Sequence, residues 1–427
     1  MTLLIAITGT AFSLFWIPVV RHDMPLAVLQ QGAHPEFRMA RVSGWGWLTP
    51  VDIWEYFRAT QTVGWGWLGG IYNTAPVFGR LELPPGLLLV LLPVAKVAGV
   101  LHLSESFPLP LQRPTAWLIL GPYEMLLSGV ALFGLDALAV RLGLNSRRRH
   151  LLTLAEGVAI WQVVVLRGDP EYAIAIGLAC YAMRAALDGR RTSSGWLLGA
   201  ALSMQLFVVL LIPVILAIGM TTPSSPQAFR QLPVLARAAA VPTALVATPL
   251  IVEPRATWRS LAIQPTYPRA MHPTPWLALA PRLGHQAVSG GPTRLLAIAA
   301  ACIIGYAVYR HRRRHRHAGN ETAWIIPCAC ALSLFCWCLF EAVMGSYYVW
   351  PATAFGLLAA ALLGYRRLAA CLGAGIFSAV FASHRAGPWL WWTPVIAGLA
   401  LACVCGIPTT PVRNSALGAP PPDQGTT

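Results

Sequence analysis

The sequence predicts an all-α protein, a polytopic transmembrane helical bundle of about 12 spans with a long exterior first loop that carries interfacial helices. Three observations predict this fold class. Of the 427 residues, 56% are hydrophobic and 11% are charged, whereas a soluble domain carries about 25% charged residues. The apolar residues are gathered into runs close to the length that crosses a bilayer. Arginines cluster at the ends of those runs, as expected at membrane boundaries.

The predicted spans follow the apolar runs in chain order. The first run has no basic residue before it and no small-residue cleavage site after it, so it is predicted to be a retained helix rather than a signal peptide. The spans are assigned to residues 3–20, 116–138, 151–166, 172–187, 195–205, 206–220, 234–252, 295–309, 323–344, 349–364, 368–382 and 388–406.

Four short basic loops constrain the topology: Arg147–Arg149, Arg190–Arg191, Arg310–Arg316 and Arg366–Arg367. The positive-inside rule predicts that all four face the cytoplasm. They can do so together when the apolar run 84–101 lies at the interface or re-enters the membrane instead of spanning it. The same parity argument divides residues 195–220 into two pieces.

This topology gives one transmembrane domain over residues 1–407 and a disordered, Pro-rich cytoplasmic tail over residues 408–427. The exterior loop 21–115 and two shorter exterior segments, 167–171 and 253–294, hold most of the polar residues outside the spans. The expected location is the cell membrane, with several passes and an exterior active face.

Several common functions are excluded by the absence of their motifs. The chain has no Walker A loop, dinucleotide-binding glycine fingerprint, zinc-protease motif or nucleophile elbow. The net charge of +15 follows from the basic loops, so membrane lipids are expected partners and nucleic acid is not. The nine cysteines lie in apolar runs and are predicted to be packing residues. No cofactor and no metal are expected.

Two exterior acids stand out, and each allows two interpretations. Asp52 precedes a helical pattern in which Glu55 and Tyr56 share its face, so it either caps a helix or serves a site. Asp169 precedes Pro170, which is typical of a helix start, or is an acid held near the first loop.

Four acids fall inside predicted spans, and acids there are functional candidates. Asp136 and Glu156 flank the Arg147–Arg149 loop and are expected to pair or snorkel there. Glu124 and Glu341 have no such neighbour, and Glu341 is expected near the exterior end beside two tyrosines. A proton-coupled transporter would need groups of this kind.

The order of weak motifs over residues 1–220 resembles the GT-C superfamily of membrane glycosyltransferases, in particular bacterial polyprenol-phosphate-mannose-dependent mannosyltransferases. An Asp-x-x-x-Tyr spacing at Asp52 and Tyr56 is followed by Ala59 and Ile71-Tyr72. The further matching pieces are Leu83-Pro84-Pro85-Gly86-Leu87, Gly168-Asp169-Pro170-Glu171, Arg190-Arg191, Gly199 and Pro213. Leu83 replaces the family's usual aromatic residue, and Gln205 stands where relatives often have Lys.

The resemblance implies transfer of a sugar, mannose in that family, from a polyprenyl-phosphate donor to a lipid or glycan acceptor on the exterior face. It implies that Asp52 is the catalytic base that takes the proton of the acceptor hydroxyl. Other exterior residues are expected to bind the substrates, the arginines either at the leaving phosphate or at lipid headgroups. They are Tyr56, Arg58, Arg80, Arg167, Asp169 and Glu171. The rival interpretation is a transporter or a non-catalytic membrane protein.

Overall fold

The computed structural model describes most of the chain as an all-α bundle. The described residues are 57, 60, 68–72, 85–103, 116–221, 231–262, 272–280, 282–283, 286–287, 292–315, 323–383 and 390–408. The helices among them are α1 (Gly86–Val100), α2 (Trp117–Arg141), α3 (Ser146–Arg167), α4 (Pro170–Leu187), α5 (Arg191–Met204), α6 (Ile212–Thr221), α7 (Leu232–Val252), α8 (Pro254–Ala262), α9 (Pro292–Arg314), α10 (Ile325–Phe340), α11 (Val349–Leu363), α12 (Tyr365–Ser383) and α13 (Trp392–Cys405).

Within this described part, four helical segments are long and apolar enough to cross a membrane. They are Ile119–Arg141, Leu232–Val252, Pro292–Arg314 and Ser346–Leu363. Shorter apolar helices cover Gly86–Val100, Leu206–Thr221, Ile325–Phe340 and Trp392–Cys405. A 15-residue helix such as α1 is about 22 Å long, which is shorter than the hydrocarbon core of a typical bilayer. The predicted all-α fold is confirmed, and the four long apolar segments suggest a membrane protein, whereas the count of about 12 spans stays a prediction.

The basic loops gather at one end of the bundle, named here the basic end. It contains the last turns of α2, α4, α9 and α11 and the first turns of α3 and α12. Arg141 at the end of α2 pairs with Asp188 after α4 at 2.5 Å. Arg148 at the start of α3 donates to the Leu362 carbonyl in α11, and its guanidinium lies over the Tyr365 ring.

Two further contacts complete the basic end. Arg312 in the last turn of α9 donates to the Thr221 hydroxyl at the end of α6 and experiences the charge of Arg141. Arg367 in the first turn of α12 donates to the carbonyls of Cys405 and Ile407, after α13 has returned to this end. The four basic loops were predicted to face the same side of the membrane, and their position at one end of the bundle agrees with that prediction.

The opposite end, named here the acidic end, contains the first turns of α2, α4, α9 and α11 and the last turns of α5 and α10. Gln205 after α5 contacts Glu171 at the start of α4. Arg294 at the start of α9 pairs with Glu341 after α10. Arginines complement the helix dipole at C-terminal turns, as Arg141 and Arg184 do on the basic end, whereas Glu171 occupies the first turn of α4.

The helix is broken within residues 195–220, as predicted, whereas a membrane crossing by each piece stays a prediction. Helix α5 ends at Met204, and Gln205 has an extended backbone with φ −148° and ψ 133°. The chain then forms a 3-10 helix over Leu206–Leu211 before α6 begins at Ile212. The chain thus approaches the acidic end in α5 and leaves it in α6.

Helix α1 contacts the bundle near its first turns. Gly86 lies so close to α5 that a Cβ atom there would be 2.4 Å from the Ser203 carbonyl oxygen. One turn later, the Tyr123 hydroxyl of α2 donates to the Val90 carbonyl at 2.7 Å. The run 84–101 is helical, and its interfacial or re-entrant position stays a prediction.

The predicted span 323–344 ends early, which corrects its boundary. Helix α10 stops at Phe340, and the apolar residues that follow form strand β4, Val343–Met344. This strand pairs antiparallel with β1, His272–Pro273. A second short pair joins β2, Arg282–Leu283, to β3, Gln286–Ala287. The prediction extended the span past the end of the helix because hydropathy alone does not distinguish an apolar helix from an apolar strand.

Candidate functional site

The acidic end begins with a tight turn between α3 and α4. Gly168 has a φ of +77°, a conformation that glycine adopts without the strain of a Cβ atom. Asp169 then takes the N-cap position of α4 and Pro170 the first helical position. The Asp169 side chain makes no capping hydrogen bond, although it is 1% exposed. Asp169 therefore occupies the N-cap position, as predicted. Its carboxylate, however, does not make the hydrogen bond of a helix cap.

Glu171 is the central carboxylate of this end. It is fully buried in the first turn of α4, where the exposed N–H groups of the helix favour a negative charge. The side-chain amide of Gln205 donates to its Oε1 atom at 3.1 Å. Both features stabilise the ionised form of Glu171, and the break after α5 brings Gln205 to this position.

Glu124 faces Glu171 from the second turn of α2. Its side chain is fully buried, and Glu171 acts on it electrostatically. Among the described residues, neither Glu124 carboxyl oxygen has a hydrogen-bond partner. Helices α2 and α4 can approach closely because Gly134 and Gly177 face each other across their interface. The bundle thus places two buried acids, 47 residues apart in the chain, on neighbouring helices and within electrostatic range of each other.

Four aromatic rings form a stack beside these acids, on α4, the 3-10 segment after α5, α10 and the start of α11. Tyr172 stacks on Phe207 at 5.2 Å between centroids, and Phe207 stacks on Trp337 at 5.0 Å. Trp337 in turn stacks on Tyr348 at 4.3 Å. Tyr347 closes the group with its edge against Tyr172. The aromatic stack fixes the four segments at the acidic end relative to one another.

Glu341 forms a second ionic group, which contacts the stack at Trp337. Its fully buried carboxylate pairs with Arg294 at 3.0 Å and accepts the indole N–H of Trp337 at 3.0 Å. The Thr274 hydroxyl donates to the Glu341 carbonyl at 2.6 Å, and the Trp276 indole donates to Leu339. The segment that carries β1 is thereby attached to the end of α10. Glu341 lies near the tyrosines, as predicted, and its charge is balanced by Arg294.

The sequence-predicted site residues divide into three groups. Asp52, Tyr56, Arg58 and Arg80 lie outside the described residues. Arg167 is the last residue of α3, and its side chain also lies outside the described part. Asp169 and Glu171 are brought together at the acidic end.

Residues that flank the first group are described at three places. Phe57 and Thr60 are fully buried, and Phe57 belongs to the main apolar core. Tyr72 packs with Ile71 and Leu88 of α1, and burial raises the pKa of its phenol. The Tyr72 hydroxyl therefore stays protonated at neutral pH.

The two remaining intramembrane acids behave differently from each other. Asp136 accepts two hydrogen bonds from Arg149, at 2.8 and 2.7 Å, which confirms the predicted pairing. The expectation for Glu156 is wrong: it is fully buried inside α3 and faces the Trp350 indole instead of the basic loop. Glu156 lies about two helical turns, or roughly 10 Å, after Arg149, beyond the reach of its side chain toward that loop.

Sequence reasoning missed Arg294, Phe207 and Trp337 as members of this end. Arg294 carried one usable signal, because it is a single arginine placed at the start of an apolar run on the end opposite to the basic loops. The two aromatic residues carried none, since aromatic side chains in apolar runs are ordinary.

Comparison with known proteins adds no assignment. No protein family, characterised protein or solved structure matches the chain.

Proposed function

We propose that the protein is a membrane glycosyltransferase that moves a sugar, mannose by the resemblance, from a polyprenyl-phosphate donor to a lipid or glycan acceptor. One observation carries the proposal. Two pieces of the sequence pattern that are far apart in the chain, Gly86 and the Gly168–Glu171 turn, meet at the acidic end. They meet around Gln205, the position where the family often has lysine. Gly86 packs on Ser203, two residues before Gln205, and Gln205 binds Glu171.

The proposed arrangement places about 12 spans in the cell membrane, with the basic end in the cytoplasm and the acidic end outside. The gathering of the arginine loops at one end supports this orientation. The exterior loop 21–115 would then lie over the acidic end, because α1 begins there. A lipid-phosphate donor needs no nucleotide-binding fold, which agrees with the missing motifs.

In the proposed reaction, Asp52 takes the proton of the acceptor hydroxyl as that oxygen attacks the anomeric carbon. The bond from this carbon to the phosphate breaks, and the polyprenyl phosphate leaves with the electron pair. Arg58, Arg80 and Arg167 are proposed to stabilise its charge, with Tyr56 beside them. Asp169 and Glu171 are proposed to accept hydrogen bonds from sugar hydroxyls.

The test is transfer of radiolabelled mannose from polyprenyl phosphate by the purified protein in liposomes. Asp52→Asn is expected to lower transfer by about 10²-fold or more, because an amide cannot take the proton. Asn caps a helix about as well as Asp, so a capping role would leave activity unchanged. Glu55→Gln, an acid three residues away, is the matched control and should retain transfer. Full transfer by the Asn variant removes Asp52 from this role, and absent transfer by the wild type with several sugars removes the proposal.

A coupled transporter is the second candidate, and two observations favour it. A helical segment is interrupted at Gln205, and Gln205 binds Glu171. Glu171 in turn acts electrostatically on a second buried acid, Glu124. Interrupted helices beside buried acids are found in secondary transporters. Against it, the sequence shows no convincing internal repeat. Solute uptake driven by a proton gradient in the same liposomes, without sugar transfer, would favour this candidate.

A further inference from the structure

The Glu124 carboxyl group is the least accommodated charged group of the acidic end. It lies in the second turn of α2, away from the helix N-terminus that would favour its charge. The side chain is fully buried, and both oxygens are without a hydrogen-bond partner among the described residues. An ionised carboxylate in such a position is strongly disfavoured relative to the protonated acid.

The groups around Glu124 increase this preference. Helix α4 presents Glu171, a second acid, and Asp169 precedes it. Helix α1 approaches through the Val90 carbonyl, which the Tyr123 hydroxyl already occupies. Arg294 pairs with Glu341, whose carboxylate also accepts the Trp337 indole N–H. No described cation balances Glu124, and two neighbouring buried carboxylates do not both ionise.

The two acids differ in a way that determines which one holds the proton. Glu171 has the N-terminus of α4 and the Gln205 amide, and both favour its negative charge. Glu124 has neither. A pair of carboxyl groups in unlike surroundings separates into an acid and a carboxylate.

We propose that Glu124 and Glu171 form a proton-binding site that holds one exchangeable proton, carried by Glu124 at neutral pH while Glu171 remains ionised. The ligand of this site is a proton, bound at a carboxyl oxygen of Glu124. The site does not depend on the transferase proposal, since sugar transfer and coupled transport could each draw on it. It gives the acidic end a proton donor that is separate from the proposed base.

Infrared difference spectroscopy tests the site without an activity assay. At neutral pH the wild type should show the C=O stretch of a protonated carboxylic acid, shifted after exchange into D2O. Glu156 is a second fully buried acid, so the variants are compared in a Glu156→Gln background. In that background Glu124→Gln should remove the band, while the matched control Asp188→Asn, an ion-paired acid at the basic end, should keep it. Glu171→Gln should also keep it, because Glu124 remains protonated. In the Glu156→Gln background, a band that survives Glu124→Gln, or no band before that substitution, overturns the proposal.

The pH dependence of unfolding is an independent measurement. The folded protein holds a proton that an unfolded glutamate releases above its usual pKa of about 4.3. Stability should therefore fall as pH rises above that value, with the unfolding constant increasing up to about tenfold per pH unit. Glu124→Gln should fold, because Gln has the shape of the protonated acid, and should remove this component. A variant that fails to fold, or that keeps the wild-type slope, contradicts the proposal.

Discussion

Replacing Gly86 by Ala tests whether α1 docks on the bundle as the structure describes. Gly86 is the first residue of α1, and an added Cβ atom would lie 2.4 Å from the Ser203 carbonyl oxygen and 2.7 Å from its carbonyl carbon. Both contact atoms belong to the backbone of α5. They have no rotamer to change, so the helices must separate by about 1 Å to restore ordinary contact.

The expected loss follows from two opposing terms. Overpacking of this kind costs about 1–3 kcal/mol. Alanine gains up to about 1 kcal/mol over glycine in a helix interior, and less in the first turn. Gly86→Ala should therefore destabilise the protein by roughly 1–2 kcal/mol. Gly99 provides a control in the same helix, because nothing lies within 4 Å of an added Cβ atom there. Gly99→Ala should be neutral or stabilising by up to about 1 kcal/mol.

The assay is thermal unfolding of the purified variants in detergent, together with hydrogen exchange of the α1 amides. The structure predicts a lower midpoint and faster exchange in α1 for Gly86→Ala alone. Equal stability of the Gly86 and Gly99 variants would refute the packing of α1 on α5. Gly86 also belongs to the stretch 83–87 that resembles the glycosyltransferases, so faster exchange should be accompanied by weaker sugar transfer if that proposal holds.

Two further predictions concern the ends of the bundle. Arg294→Gln leaves the fully buried Glu341 without its ion pair and should cost about 3 kcal/mol or more in unfolding free energy. Asp188→Asn, which breaks a more exposed pair, should cost at most about 1 kcal/mol, and equal losses would contradict the burial difference. Reporter fusions at Ser146 and His317 should both report a cytoplasmic position, whereas exterior activity at either point would refute the proposed orientation.

The helices were predictable because apolar runs and their boundaries are local properties of the chain. The run 116–138 became α2, Trp117–Arg141, and the division near residue 205 became the break at Gln205. Asp136 and Arg149 are 13 residues apart across one loop, so their pairing also followed from local order. Where the apolar run continued through Ala342, the boundary was wrong because a strand pair replaced the helix.

The composition of the candidate site was not predictable in the same way. The pair of Arg294 and Glu341 joins residues 47 positions apart, and its formation depends on the packing of α9 against α10. The approach of Glu124 to Glu171 depends on glycines that allow α2 and α4 to come close. A single sequence contains each acid but not the angle at which two helices cross. The sequence could therefore predict candidate acids but not which of them form pairs.

Gln205 connects the two proposals for the acidic end. Relatives in the family that the sequence resembles often have lysine here, and a lysine beside Glu171 would supply a full positive charge. Gln205 instead supplies an uncharged donor, so the charge of Glu171 is stabilised by dipoles: the amide and the start of α4. These dipoles act on the Glu171 carboxylate at short range and, unlike a full positive charge, do not also stabilise the ionised form of a second carboxyl group nearby. Without a positive charge nearby, nothing favours the ionised form of Glu124 beside Glu171. The proton, which a lysine would have displaced, can therefore remain on Glu124.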